Sequence, residues 1–528
     1  MSVTKQAVLE EAPVAQLRTQ RRRGRSAKLK ERQTDVAATA AEFPAYAERK
    51  IPYYDFLDDA ALERIERHAD YLLESVGVEF RDDPVALDIW RAAGAEVSGT
   101  TVKMPNGLAR RLCQTIPPQF TQHARNPRYN VEIGGPNAVF MPVHCAPFVS
   151  DLDEGRRYGT LADLQNLIKI TYQTPSLHHS GGITVEPCDV PVNKRHLDIM
   201  YSHIRYSEKA YLGSITAKER AEDSIEMAKI VFGDAFMQDH CVVIGNVNAN
   251  SPMMFDKVAS EAIQVYCGAN QGIIVAPFIL SGAMGPVTTA ASLAQALAEG
   301  MAAGAFSQLV RPGAPFVLGN FLSSMSLKSG APTFGMPEPV MSNYAIGQLA
   351  RRLNIPLRCG GSLTASKRND AQSAYESADS LHSTVLGGAN LVVHAAGWLE
   401  GGLVSSYEKL VLDADRLAAM QRFLQGMKTD ENALARDAYE EVPAGGHFLG
   451  CSHTMRNYET AFFDAKLSDS ESVEQWVENG SLEAVQRANA HWKSLLADYQ
   501  MPDLDPAIDE ALLAFIERKK ASMEDKWY

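Results

Sequence analysis

No apolar run in this 528-residue chain approaches the roughly 18 residues needed to cross a bilayer, and its most apolar stretches are broken by Gly, Pro or Gln. Cysteine is sparse: seven residues, at 113, 145, 188, 241, 267, 359 and 451, odd in number and without a C-x-x-C pair. That excludes a disulfide framework or a zinc knuckle and fits reduced, mostly buried thiols. There is no G-x-G-x-x-G: Gly134-Gly135 and Gly181-Gly182 stand alone, and Gly401-Gly402 lacks a Walker lysine, so neither a dinucleotide fold nor a P-loop is announced. H-E-x-x-H, a Ser-His-Asp order and a metal-spaced His/Asp cluster are missing too. With a net charge of −13 the chain is no dedicated nucleic-acid binder. A basic run, Arg21-Arg22-Arg23-Gly24-Arg25, is not followed by an apolar segment, so it reads as no export signal and the cytoplasm is the expected compartment. The wider basic segment, Arg18 to Arg32, reads as a solvated tail or as an electrostatic dock for an acidic partner.

What is present is 45% hydrophobic and 22% charged, ordinary for a soluble enzyme with a large core. Residues 1–45 show no sustained apolar period and read as a flexible basic arm. From Leu62 to Val76 apolar residues recur at helical spacing, with Asp58 or Asp59 to cap and Gly77 to stop the helix. Residues 46–142 then form a small α-rich N-terminal domain with short hairpins, including strands at 130–133 and 138–142. Beyond it an apolar segment of about six residues alternates repeatedly with an amphipathic, helix-length one. The strand candidates are Ala146–Ser150, His178–Thr184, Ala210–Ile215, Cys241–Asn246, Gly272–Phe278, Pro315–Asn320, Pro356–Cys359 and Asn390–His394. Eight strand–helix units predict an α/β fold, a (β/α)8 TIM-like barrel over residues 143–402, with a helical extension over 403–528.

In such a barrel the chemistry sits where strands end. The strand-end residues include Asn246, Phe278, Asn320, Phe321, Glu338, the loop Ser366 to Gln372, His394 and Trp398. Amides and aromatics outnumber acid–base pairs. His178-His179 reads as a satisfied, half-buried pair ahead of a metal site, and His447, Cys451 and His453 lie on a Gly-rich loop whose spacing is not diagnostic. Glu338 reads equally as a helix-terminal carboxylate or as a functional one.

Three segments carry something more specific: Gly330 to Glu338 (GAPTFGMPE), Arg358 to Gln372 (RCGGSLTASKRNDAQ) and His394 to Gly402 (HAAGWLEGG). With Tyr407 to Asp413 (YEKLVLD) and His447 to Thr454 they resemble the trimethylamine–corrinoid methyltransferase family, over about residues 50–500 and in the right order. The resemblance implies a barrel enzyme that moves a methyl group from an amine to the cobalt of a corrinoid carried by a separate protein. No tightly bound cofactor, no metal, no nucleic acid and no membrane are implied, and a homo-oligomer is expected. Where members acting on trimethylamine carry pyrrolysine, in the loop matching Ser366–Gln372, this chain has Lys367, Arg368 and Asn369. That departure moves the expected substrate to a quaternary amine such as glycine betaine, proline betaine or carnitine.

Physical chemistry points the same way. A tertiary amine is a poor methyl donor, whereas a quaternary ammonium leaves as a neutral amine and asks only to be positioned. Aromatic faces hold such cations, so Phe148, Phe278, Phe321 and Trp398 are the cage candidates. His179, Asn246 and Asn320 are further substrate contacts, with Lys367 or Arg368 as counter-charge to a carboxylate. Glu338 is expected near the ammonium, Asp370 and Gln372 fix the loop, and His394 meets the acceptor. Two other readings remain open: a barrel lyase or isomerase with Glu338 and His394 as acid and base, and a non-catalytic paralogue that binds a betaine or the corrinoid protein.

Overall fold

Strands buried on both faces read as continuous apolar runs, and such runs build the centre of this protein. In the computed structural model, which describes residues 44–527, seven of them form parallel strands: β1 (Asn137–Pro142), β2 (Tyr211–Leu212), β3 (Val243–Val247), β4 (Gly272–Val275), β5 (Phe316–Gly319), β6 (Leu357–Gly360) and β7 (Leu391–Ala396). They lie in the order β1-β7-β6-β5-β4-β3-β2, and Ala47–Glu48 adds an antiparallel edge beside the start of β1, making a curled sheet of eight strands. The basic arm expected over residues 1–45 falls almost wholly outside the described residues.

Alternation along the strands sorts their side chains into two cores. Val139, Met141, Leu212, Ile244, Ile274, Val317, Leu391 and Val393 pack together on the inner face. Their neighbours Phe140, Tyr211, Val243, Ile273, Phe316, Leu357 and Val392 join the outer core under the helices. Those helices follow the strands in turn: α1 (Leu161–Gln173) and α2 (Arg195–Tyr206) after β1, α3 (Lys218–Phe232) after β2, α4 (Lys257–Gly268) after β3, α5 (Thr289–Val310) after β4, α6 (Pro337–Leu353) after β5, α7 (Ala371–Gly387) after β6 and α8 (Tyr407–Leu424) after β7. α5 is buried almost all round, which explains why its sequence is rich in Ala and Gly and lacks a polar stripe.

Three strand expectations shift. Residues 137–142, buried at every position, form β1 itself, while 131–134 pairs antiparallel with 119–122. The segment expected as the first strand, Ala146–Ser150, instead contributes Phe148–Asp151 to a rim sheet with 155–158, 398–399 and 404–406. The segment expected as a strand over His178–Thr184 makes no regular ladder, because Gly181 turns into the left-handed region at φ 84°. It nonetheless spans the gap between β1 and β2. His178 N and His179 N donate to Phe140 O, Ser180 N donates to Ala210 O, and Leu212 N donates to Gly181 O.

Beyond β4 and β5 the chain continues into short rim strands, Phe278–Leu280 and Phe321–Met325, which pair in parallel with Phe278 opposite Phe321. Asp58 caps the first N-terminal helix by accepting from Ala61 N, and Gly77 closes its last turn at φ 86°. In the C-terminal extension beyond α8, Ala484–Ala497 and Pro506–Ala521 are the longest helices, and residues 427–483 fold into short pieces. No helix among the described residues is long and apolar enough to cross a membrane.

Candidate active site

The C-terminal ends of the strands surround a cavity of about 450 Å³. His144 and Cys145 enter it from the turn after β1, and Ser214 and Thr216 from the turn after β2. Asn246 comes from β3, Phe278 and Phe321 from the rim strands, Arg358 from β6, and His394 and Trp398 from β7 and its exit. Apart from the histidines and Cys145, Arg358 and Asp256 are the ionisable side chains in the lining. Asp256 is already engaged as the N-cap of α4, accepting from Ala259 N at 2.8 Å and from Asn250 Nδ2 at 3.1 Å.

His394 reaches the cavity because its strand bulges. The register of β7 slips between Val392 and Ala396, and His394 sits at φ 59°, a conformation uncommon outside glycine. Its Nδ1 accepts the backbone N–H of His144 at 3.1 Å. The His144 Nδ1 in turn accepts from Ile183 N at 3.1 Å. Each ring therefore carries its proton on Nε2, facing the lining. Burial, then the Arg358 charge, pushes the His144 imidazole down to about 3. The same two causes, joined by His144, hold His394 well below its ordinary value. Both are neutral hydrogen-bond donors across the physiological range.

One wall is aromatic. Phe278 and Phe321 meet edge to face at 5.1 Å, and Phe321 and Trp398 do so at 5.9 Å. The His394 ring packs on Trp398 at 4.4 Å, and Phe334 backs the group from behind. Trp398 is fixed by donating from Nε1 to Thr364 O at 3.0 Å. It also needs Gly402 beside it, since a Cβ there would lie 2.4 Å from Trp398 Cη2.

The loop after β6 supports this wall from outside the cavity. Thr364 Oγ1 and Ala365 N both donate to buried Glu376, at 2.6 and 2.8 Å, and Gln372 Nε2 donates to its other oxygen at 2.9 Å. Asp370 caps α7 through Ser373 N at 3.0 Å and accepts from Ser366 Oγ at 2.9 Å. Those hydrogen bonds, the Ser373 one foremost, hold its carboxyl below the usual range.

A family model described as trimethylamine methyltransferase matches residues 21–524. The chain belongs to the trimethylamine methyltransferase family. It is 38% identical over 470 residues to the glycine betaine methyltransferase of Desulfitobacterium hafniense (strain Y51), covering 89% of this chain and 98% of that one. The trimethylamine methyltransferase MttB of Desulfitobacterium hafniense (strain DSM 10664 / DCB-2) is 26% identical, with 87% and 92% covered. The proline betaine:corrinoid methyltransferase of Eubacterium limosum is 24% identical, with 87% and 96% covered. This trimethylamine methyltransferase family member is accordingly a methyltransferase.

Of the residues singled out from the sequence, the cavity gathers Asn246, Phe278, Phe321, His394 and Trp398. The others lie elsewhere. Phe148 packs in a tilted arrangement on Tyr158 at 4.6 Å, and its face is covered by the Arg156 guanidinium at 3.6 Å. His179 is buried beneath the cavity, its Nε2 paired with Gln122 Oε1 at 3.1 Å and its Nδ1 accepting from Gly181 N. Asn320 is buried behind Phe321, donating to Asn343 Oδ1 at 3.2 Å. Glu338 is exposed in the first turn of α6, at 3.5 Å from Ser324 Oγ; it is not brought to His394. Lys367 and Arg368 are exposed, with Lys367 folded back on Ala365 O at 2.9 Å. Asp370 and Gln372 hold the loop, as just described. Sequence reasoning passed over His144 and Arg358. The signal for Arg358 was a charge inside the apolar strand Pro356–Cys359.

Proposed function

We propose that the strand-end cavity binds a quaternary amine of betaine type and transfers one of its methyl groups to Co(I) of a corrinoid carried by a partner protein. The observation that carries this is the composition of the lining. It offers an aromatic wall of Phe278, Phe321 and Trp398 for the ammonium and a buried cationic side chain for a carboxylate. The imidazoles that line it are held neutral, so the cavity offers no acid–base dyad. The names of the Desulfitobacterium and Eubacterium relatives, glycine betaine and proline betaine methyltransferases, support the same class. A cavity of about 450 Å³ suits a small amine and has no room for a corrin macrocycle, so the acceptor comes to its mouth from outside.

The bond changes ask little of the protein. The C–N bond breaks with its electron pair left on nitrogen, which departs as a neutral tertiary amine, and the electron pair of Co(I) forms the new bond to the methyl carbon. No proton moves. The enzyme's part is to hold the cation with one methyl toward the mouth and to keep water away, an effect of positioning that is worth several kcal/mol. We read the curled sheet as working as a (β/α)8-type barrel, closed by the backbone bonds of residues 178–181, and place the reaction in a reducing cytoplasm where Co(I) survives. A lyase or isomerase reading has no support in the geometry, because Glu338 lies outside the cavity.

Incubation of the protein with glycine betaine and chemically reduced corrinoid, followed by proton NMR, tests the proposal. One equivalent of dimethylglycine per corrinoid is expected. No demethylated amine from glycine betaine, proline betaine or carnitine, with a corrinoid protein also supplied, would overturn it.

A further inference from the structure

Arg358 occupies an inner-face position of β6. On the paired strand its register partner is Leu391, a member of the inner apolar core. The guanidinium is 1% exposed. It donates to Asn320 O at 3.3 Å and lies over the Phe321 ring at 4.9 Å. Its Nε is buried with no hydrogen-bond partner, and no carboxylate pairs with it among the described residues. Burial lowers its pKa to about 10, so it remains charged at neutral pH.

A buried cation without a counter-ion is expensive. Elsewhere in this protein the buried ammonium groups find protein partners: Lys409 is paired with Asp413, and Lys209 donates to the carbonyls of Thr171, Thr174 and Leu177. At Arg358 the open side is the cavity itself. The missing partner is therefore a ligand anion, placed beside an aromatic wall suited to a ligand cation. The Nε2–H groups of His144 and His394, whose Nδ1 atoms are occupied by backbone donors, lie in the same lining to complete the anion's hydrogen bonds.

From this geometry we infer that Arg358 is the specificity-determining residue that recognises the carboxylate of a zwitterionic quaternary amine. The inference rests on the function proposed above and sharpens it. It moves the counter-charge from the exposed Lys367–Arg368 loop to the floor of the cavity, and it predicts discrimination against quaternary amines that lack a carboxylate. Arg358 holds the substrate and touches none of the reacting atoms, so its removal raises KM for glycine betaine foremost.

The test compares glycine betaine with choline, which keeps the trimethylammonium and replaces the carboxylate by a hydroxymethyl group. Dissociation constants are measured by calorimetry for the wild-type protein, Arg358→Lys and Arg358→Gln. Turnover with reduced corrinoid is measured in parallel. Wild-type protein is expected to bind glycine betaine about 100-fold more tightly than choline, the scale of a desolvated charge-assisted pair. Arg358→Gln should bring the two within about fivefold, by weakening glycine betaine alone. Arg358→Lys, a point charge without the planar fork, should fall between. The wild-type comparison needs no variant, so it stands even where Arg358→Gln fails to fold. Equal affinity of wild-type protein for the two ligands, or an unchanged preference in a folded Arg358→Gln, would overturn the inference. Selective binding without any methyl transfer would overturn the function reading and leave this one standing.

Discussion

His144 and His394 show how local hydrogen bonding decides what a side chain offers. Each is locked as an Nε2–H tautomer by a backbone N–H and kept neutral by burial beside Arg358. Methyl transfer is therefore expected to be flat in kcat between about pH 5.5 and 8; a bell-shaped profile would point to acid–base chemistry. The same burial has a stability cost in acid. The His144 and His178 pKa values fall to about 3 in the folded protein, against about 6.5 when unfolded. Between these values the unfolded chain binds more protons, so stability rises with pH in that window and is lost as pH falls from 6.5 toward 3. A melting temperature that drops steeply below pH 6 is the expected outcome in a thermal scan. At Gly402 the argument is steric. Gly402→Ala would drive a methyl group into Trp398 at φ 100°, and a rise in KM of tenfold or more, with the fold retained by circular dichroism, is the expected result.

Elements position these residues, and here the sequence was partly legible. Strand–helix alternation revealed α1 to α7 and most of the strands between them, because their apolar periods differ and caps such as Asp370 at α7 are explicit. It misplaced the first strand, since 137–142 and 146–150 are equally apolar and only pairing distinguishes a sheet strand from a rim strand. The aromatic wall was legible because Phe278, Phe321 and Trp398 follow strands directly. Arg358 was not, because a charge in an apolar strand looks like an exception until its burial is seen. Nor was the role of the loop 364–372, whose side chains serve the wall from behind through Glu376. The bulge that aims His394 rests on α8. Asp413 accepts from Gly397 N at 3.0 Å and pairs with buried Lys409, which also donates to Ser377 Oγ at 3.0 Å. Asp413→Ala would leave that ammonium without a counter-charge, at a cost of about 3–5 kcal/mol. A melting temperature lowered by several degrees is expected, with activity falling in step as the bulge loosens.

The molecule as a whole joins a well-packed sheet to a C-terminal extension of different character. Between the two, exposure changes abruptly: Met427 is 91%, Leu449 81% and Phe462 89% exposed, in loops and turns between short helices. Apolar residues so displayed mark a contact surface, and obligate homodimer interfaces are the apolar kind. Two or more copies in solution are therefore predicted, with Phe462→Glu shifting sedimentation toward the monomer. The cavity, by contrast, takes no lining from beyond Leu403.

The most direct test of the account is a single-turnover experiment under anaerobic conditions. The protein, glycine betaine and Co(I) corrinoid on its carrier are mixed, and the cobalt spectrum is followed. The account predicts loss of the Co(I) absorbance and appearance of methylated corrinoid, saturable in glycine betaine and at least tenfold slower at subsaturating substrate with Trp398→Ala. A Co(I) spectrum unchanged by betaine-type amines, in the presence of a competent corrinoid protein, would contradict it.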